Sequence, residues 1–163
     1  LVAKLLPELI GRGFLVSTMK HTHHNFDIDK KGKDSYLHRI SGATEVMITG
    51  ARRWAILHEN RDVPEPSIDD LLARMEDVDL VLIEGFKSHS HQKMEVFRPS
   101  VGKPLLAVDD PGIVAVASDA VAADLPQLEG KDLALIDLED VKAIADFIVG
   151  HTGLKARCRD GAA

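Results

Sequence analysis

The sequence predicts an α/β fold, built on a mainly parallel sheet with helices on both faces and an edge hairpin. Three observations carry that expectation. Short apolar runs alternate with amphipathic stretches along the whole chain. Several of those runs are continuously apolar, as strands covered on both faces are. The 163 residues, 45% of them apolar, suffice to bury one core. We therefore expect a single domain over residues 1–153 and a polar tail over 154–163.

The elements follow in order. "LVAKLLPELIGRG" (1–13) opens as an amphipathic helix with Leu1, Leu5 and Leu9 on one face. It lacks an N-cap residue, so a segment upstream of residue 1 is expected. Pro7 costs a helix interior about 3 kcal/mol, which predicts a kink there or an early position. "FLVSTMK" (14–20) reads as a buried strand. A His/Asp-rich loop follows, and "DSYLHRISGA" (34–43) reads as a helix capped by Asp34 and stopped by Gly42. "TEVMITG" (44–50) and "RWAILHE" (53–59) are strands. "SIDDLLARM" (67–75) is a helix with Ser67 as N-cap and Asp70 completing a capping box. "DLVLIEGFK" (79–87) is the clearest strand. "HQKMEVFRPS" (91–100) alternates like an edge strand or hairpin arm, and an exposed edge there suits a dimer seam over 93–99. "PLLAVDD" (104–110), "GIVAVASD" (112–119) and "LALID" (133–137) are further strands, and 138–153 is a closing helix.

Composition excludes several classes. A net charge of −6 and 4% aromatic residues argue against a nucleic-acid partner and an anionic membrane surface. No apolar run approaches the roughly 20 residues of a membrane span. The single Cys158 rules out an internal disulfide framework and fits a cytoplasmic setting.

In a parallel sheet, ligands bind where strands end at the carboxyl edge. Three stretches fall there. Glu84 ends an apolar run and is followed by Gly85. A carboxylate so placed can hold a magnesium-bound water, and the glycine lets a phosphate or metal approach the backbone; a solvated strand-end Glu is the alternative. In "MKHTHHNFDID" (19–29), His21, His23 and His24 offer zinc-type nitrogens, while Asp27 and Asp29 suit magnesium better. That loop is a metal site, a substrate-facing loop or a solvated turn, and His89 and His91 follow the Glu84 strand. In "AVASD" (115–119), Asp119 has the acceptors to take the N1–H and 2-amino group of guanine. An ordinary Ser-Asp turn or helix cap fits the same residues.

Taken together, "MKHTHHNFDIDKKGKDSYLHR" (19–39), "RRWAILHE" (52–59), "LVLIEGFK" (80–87), "EVFRP" (95–99) and "AVASD" (115–119) resemble the molybdopterin-guanine dinucleotide biosynthesis protein B family. The resemblance runs from residue 1 to about 150. It implies a P-loop NTPase-like fold that binds GTP with Mg2+ and has at most weak GTPase activity. It also implies a homodimer that assists protein A, the nucleotidyltransferase joining GMP to molybdopterin. Glu84 then corresponds to the Walker B-type acid, and Asp27 lies near the magnesium with it. Lys20, His21, His23, Asp29, Lys33 and Asp34 line the nucleotide and pterin side, with Gly85 and Lys87 beside Glu84. Ala117, Ser118 and Asp119 lie near the base.

One departure counts. The family's G-x-x-x-x-G-K-[ST] loop immediately precedes the helix that opens this chain, and these residues do not include it. The loop supplies the phosphate cradle and the magnesium hydroxyl, so the 163 residues are expected to bind GTP poorly. The strand before that loop is central in the sheet, so an opening is expected beside 80–84. Two other readings stand: a small-molecule kinase or ligase acting through Glu84 and Lys87, and a metal carrier using His21, His23, His24, His89 and His91.

Overall fold

The computed structural model describes residues 1–22 and 26–155. His23 and His24, and the tail from residue 156, lie outside the described residues. The chain divides into two compact units, one formed by Leu1–His21 with the segment from Val78 onward, the other by Thr22–Asp77.

The first unit is built from parallel strands. Helix α1 (Val2–Gly11) leads through a turn into strand β1 (Val16–Lys20), which pairs in parallel with β4 (Leu80–Glu84). Residue-for-residue register runs from Val16 opposite Leu80 to Lys20 opposite Glu84. A second sheet has the order β5 (Lys93–Phe97), β6 (Ile113–Ser118), β7 (Ala134–Asp137), again all parallel. Helix α4 (Val141–Thr152) closes the unit, with Asp140 as N-cap accepting from the Ala143 N–H. Pro7 sits inside α1 without ending it. The buried Leu5 and Leu9 on either side of it offset the missing hydrogen bond.

Strand β6 is sealed on both faces. Ala117 belongs to a core with Leu5, Leu9, Phe14, Leu138, Ile144 and Ala145, while Val116 belongs to a second core with Ala107 and Ile113. Leu80 and Leu82 of β4 and Met94 of β5 pack against the first of these cores, so both sheets share it. Arg12 fastens α1 to α4 through Asp146 at 2.6 Å and the Lys142 carbonyl at 3.3 Å. Although its apolar run is unbroken, β4 has no fully buried residue. Among the described residues it pairs on one edge only, with β1, and the sheet is interrupted beside it.

The second unit carries helix α2 (Asp34–Ile40), the antiparallel hairpin β2 (Glu45–Gly50) and β3 (Arg53–His58), and the short helix α3 (Ile68–Leu72). The predicted capping box at Ser67 and Asp70 is present.

Three expectations need correction. Residues 104–110 are not a strand: Leu106–Val108 form a 3-10 turn. The Glu95 carboxylate accepts from the Leu106 and Ala107 N–H groups at 2.9 and 2.8 Å, and so removes the donors a ladder would need. Lys33, not Asp34, is the N-cap of α2; Asp34 lies in the first turn, where its charge complements the helix dipole. The strand over 93–97 is an edge strand, as expected, but it pairs in parallel with β6 and is no hairpin arm.

Because Ile144 is fully buried in the shared core, Ile144→Ala should cost about 2–5 kcal/mol in chemical denaturation. Met47→Ala, on the exposed hairpin, should stay within about 0.5 kcal/mol of the parent.

Candidate functional site

Parallel pairing brings strand ends together at the carboxyl edge. At the end of β1–β4, Lys20 Nζ donates to Glu84 Oε1 at 2.9 Å, both side chains more than half exposed. The ladder continues one step, with the His21 N–H donating to the Glu84 carbonyl at 2.8 Å. The chain then turns sharply: Gly85 has φ +104° and Phe86 φ +51°. Left-handed backbone at a bulky residue costs about 1–3 kcal/mol. It is offset here by burial of Phe86, whose ring stacks on His21 at 4.2 Å and meets His89 edge-on at 5.0 Å. The side of Gly85 on which a Cβ would sit is filled from within. A Cβ there would lie 2.9 Å from the His21 Cβ and 3.0 Å from its carbonyl oxygen. Lys87 is exposed, and its carbonyl accepts from Lys93 Nζ at 3.3 Å.

At the end of β6, Ala117 and Ser118 are buried. The Ser118 hydroxyl accepts the Ala120 N–H at 3.0 Å, and its carbonyl accepts the Leu138 N–H at 2.9 Å. They shape the turn, and Asp119 is the residue of the three that reaches solvent. Asp119 accepts from Arg98 at 2.9 Å.

In the second unit, Asp27 and Asp29 converge on Arg39. Asp27 Oδ2 accepts from Arg39 Nη2 at 2.9 Å, while its Oδ1 takes the Asp29 N–H. The Asp29 side chain, only 4% exposed, accepts from Ser35 and from the Lys30 N–H, with Arg39 Nε 3.7 Å away. Glu59, the first residue after β3, accepts from Arg39 Nη1 at 3.1 Å, and Arg61 donates to the Arg39 and Ala43 carbonyls. Lys33 and Asp34 are exposed at the start of α2. Sequence reasoning gave no role to Arg39 or Phe86 and no partner to Arg98. All three lie inside quoted motifs, but nothing local says which carboxylate an arginine will meet.

Some carboxyl groups are held below the usual range. Asp27 is lowered chiefly by the Asp29 N–H, then by Arg39. Asp110 is lowered by the Lys93 ammonium and the Gly112 N–H, and Glu139 by the Lys4 ammonium and then by Arg98. Burial, with Lys93 and His89 nearby, pushes the His91 imidazole down. Among the described residues, no three His, Cys, Asp or Glu side chains gather as a metal site would require.

Parallel strands, covering helices and acidic or polar side chains at their carboxyl ends define an α/β protein whose candidate ligand edge is the carboxyl edge of its strands. A family model described as molybdopterin guanine dinucleotide synthesis protein B matches residues 1–119. The chain is 41% identical over 152 residues to the molybdopterin-guanine dinucleotide biosynthesis adapter protein of Escherichia coli, covering 91% of this chain and 83% of that one. The adapter protein of the same name from Haemophilus influenzae is 41% identical over 151 residues, covering 91% and 79%. The fold is similar to that of Bacillus subtilis MobB, with TM-score 0.64 at 20% identity over 94% of this chain and 88% of that chain. A crystal structure of molybdopterin-guanine biosynthesis protein B gives 0.63 at 22% identity, over 92% and 89%. The chain belongs to the MobB family.

Two outcomes are expected. Gly85→Ala should displace His21 and lower the melting temperature, with a changed environment at the His21 ring seen by NMR; a wild-type melt and spectrum would contradict the crowding. The lowered pKa values of Asp27, Asp110 and Glu139 mean these carboxylates stabilise the fold fully above the ordinary range of about 3.9–4.3. Stability should then fall as pH drops through their depressed values. Denaturation midpoints between pH 2 and 6 test this, and Lys93→Met should flatten the acid limb.

Proposed function

We propose that this protein is a GTP-binding accessory protein in molybdenum cofactor biosynthesis, assisting the attachment of GMP to molybdopterin. The observation that carries the base assignment is the end of β6. Two buried small residues fix a turn, and Asp119 follows it exposed at the carboxyl edge. A carboxylate there is an acceptor pair for guanine N1–H and the 2-amino group, which adenine lacks. The adapter names of its relatives support the pathway.

The residues fit the nucleotide in kind. Lys20 supplies an exposed cation and Glu84 an exposed hard oxygen of the type magnesium prefers. Their mutual ion pair must open for either to meet a ligand. Magnesium, when bound, neutralises phosphate charge. Lys20, His21, Gly85 and Lys87 are assigned to the phosphate side with Glu84. Asp27, Asp29, Lys33 and Asp34 are assigned to the loop facing nucleotide or molybdopterin, with Asp27 as its hard-oxygen donor; His23, in the same assignment, lies outside the described residues. The partner is the protein A nucleotidyltransferase, to which the chemistry is left. The chain acts as a cytoplasmic homodimer and is at most a weak GTPase. Among the described residues no helix is long and apolar enough to cross a membrane.

Equilibrium binding of magnesium nucleotides to the full natural chain tests this. GTP should bind in preference to ATP, and Asp119→Asn should shift preference from GTP to XTP by roughly tenfold or more, the value of one hydrogen bond to a charged group. Equal binding of ATP and GTP, or an unchanged preference in the variant, would remove the guanine assignment.

A further inference from the structure

Asp119 is not held by its own strand alone. Arg98, the first residue after β5, donates from Nη1 to Asp119 Oδ2 at 2.9 Å and from Nη2 to Glu139 Oε1 at 3.2 Å. Glu139 in turn accepts from Lys4 Nζ through Oε2 at 2.7 Å. These four residues come from α1, from the ends of β5 and β6, and from the segment after β7. One guanidinium thus ties the carboxyl ends of three adjacent parallel strands together, and Lys4 anchors the far side of that tie. We propose that Arg98 is a positioning residue for base selection: it fixes the plane of the Asp119 carboxylate, so that both oxygens meet the paired donors of guanine. The proposal rests on the reading of Asp119 as the base reader.

Geometry favours positioning over stabilisation. The Arg98 and Asp119 side chains are 44% and 35% exposed, and exposed ion pairs contribute little to stability. Their effect on orientation is larger. A free aspartate at a strand end turns about two side-chain torsions, whereas a pair of parallel hydrogen bonds to a base edge needs one carboxylate plane. Each carboxylate oxygen carries two lone pairs. Oδ2 therefore holds Arg98 and keeps a lone pair for the base, and Oδ1 takes no part in that contact. The fork of the guanidinium matters as much as its charge, because two separate nitrogens reach two different carboxylates. A lysine ammonium in the same place is a point charge without that planar fork. Glu139 and Lys4 complete the device, since a guanidinium free to swing would carry Asp119 with it.

The test is nucleotide selectivity in the full natural chain. Binding of the magnesium complexes of GTP, ATP and XTP is measured for the parent, Arg98→Ala, Arg98→Lys and Asp119→Asn, with Asp119→Ala alone and combined with Arg98→Ala. Arg98→Ala should lower the GTP-over-ATP ratio by roughly tenfold, about the loss of one well-oriented hydrogen bond to a charged group, with ATP affinity and melting temperature essentially unchanged. Arg98→Lys should recover only part of that ratio. In the Asp119→Ala background, Arg98→Ala should change the ratio no further. Equal losses of GTP and ATP in Arg98→Ala would overturn the proposal, as would an unchanged ratio. If Asp119→Asn prefers XTP while Arg98→Ala keeps full selectivity, base reading by Asp119 stands and positioning by Arg98 falls. If Asp119→Asn leaves the preference for GTP intact, the base assignment itself falls, and the proposal with it.

Discussion

The burial of β6 on both faces is the constraint on which the rest of the structure depends. Ala115, Val116 and Ala117 have no exposed surface, and the neighbours Val116 and Ala117 belong to two different cores. Ala117 packs with residues of α1 and α4, and Val116 with Ala107 and Ile113. Every residue added to such a strand would bury more backbone, so where β6 stops is set by where polar side chains begin. Ser118 satisfies the turn from inside, and the next residue, Asp119, emerges at the edge. The position of the candidate base reader is thus a by-product of core packing.

The strand ends are then joined by charge. Lys20 meets Glu84 directly across the β1–β4 register, and Arg98 spans the ends of β5, β6 and β7. Parallel strands make this possible because their ends of like sense converge, so side chains that follow successive strands become neighbours. An antiparallel hairpin such as β2–β3 cannot do the same, since its paired ends alternate in sense. There Glu45 and His58 meet at the hairpin base, 2.8 Å apart.

What the sequence revealed and what it hid follow from the range of the forces involved. The strands at 80–84 and 113–118 were legible from unbroken apolar runs, and the capping box at Ser67 and Asp70 from a spacing of three. The segment 104–110 was misread because a short apolar run marks burial, not extension. Its backbone donors go to Glu95, eleven residues before Leu106. Arg98 reaches Asp119 across 21 positions and Glu139 across 41, and no local pattern encodes such a pairing. What lies against Gly85 was hidden for the same reason. A glycine after a strand announces a close approach, but only the fold shows that the approaching atom belongs to His21.

Carboxylates named alike from the sequence are unequal in the fold, and solvent exposure decides the difference. Exposed ion pairs contribute about 0.2–1 kcal/mol, so a pair such as Lys20–Glu84 exchanges readily for a ligand of higher charge. Asp119, paired through one oxygen and partly exposed, is similarly accessible. Asp29 is the opposite case: at 4% side-chain exposure it is committed to Ser35, the Lys30 N–H and the neighbouring Arg39. Taking it away for a metal would leave a guanidinium, itself mostly covered, facing fewer anions, and removing one partner of a covered charge costs more than an exposed pair gains. The loop from Phe26 to Lys33 is therefore shaped by Asp29 and Arg39. Its exposed charged members are Asp27 and the lysines at 30, 31 and 33.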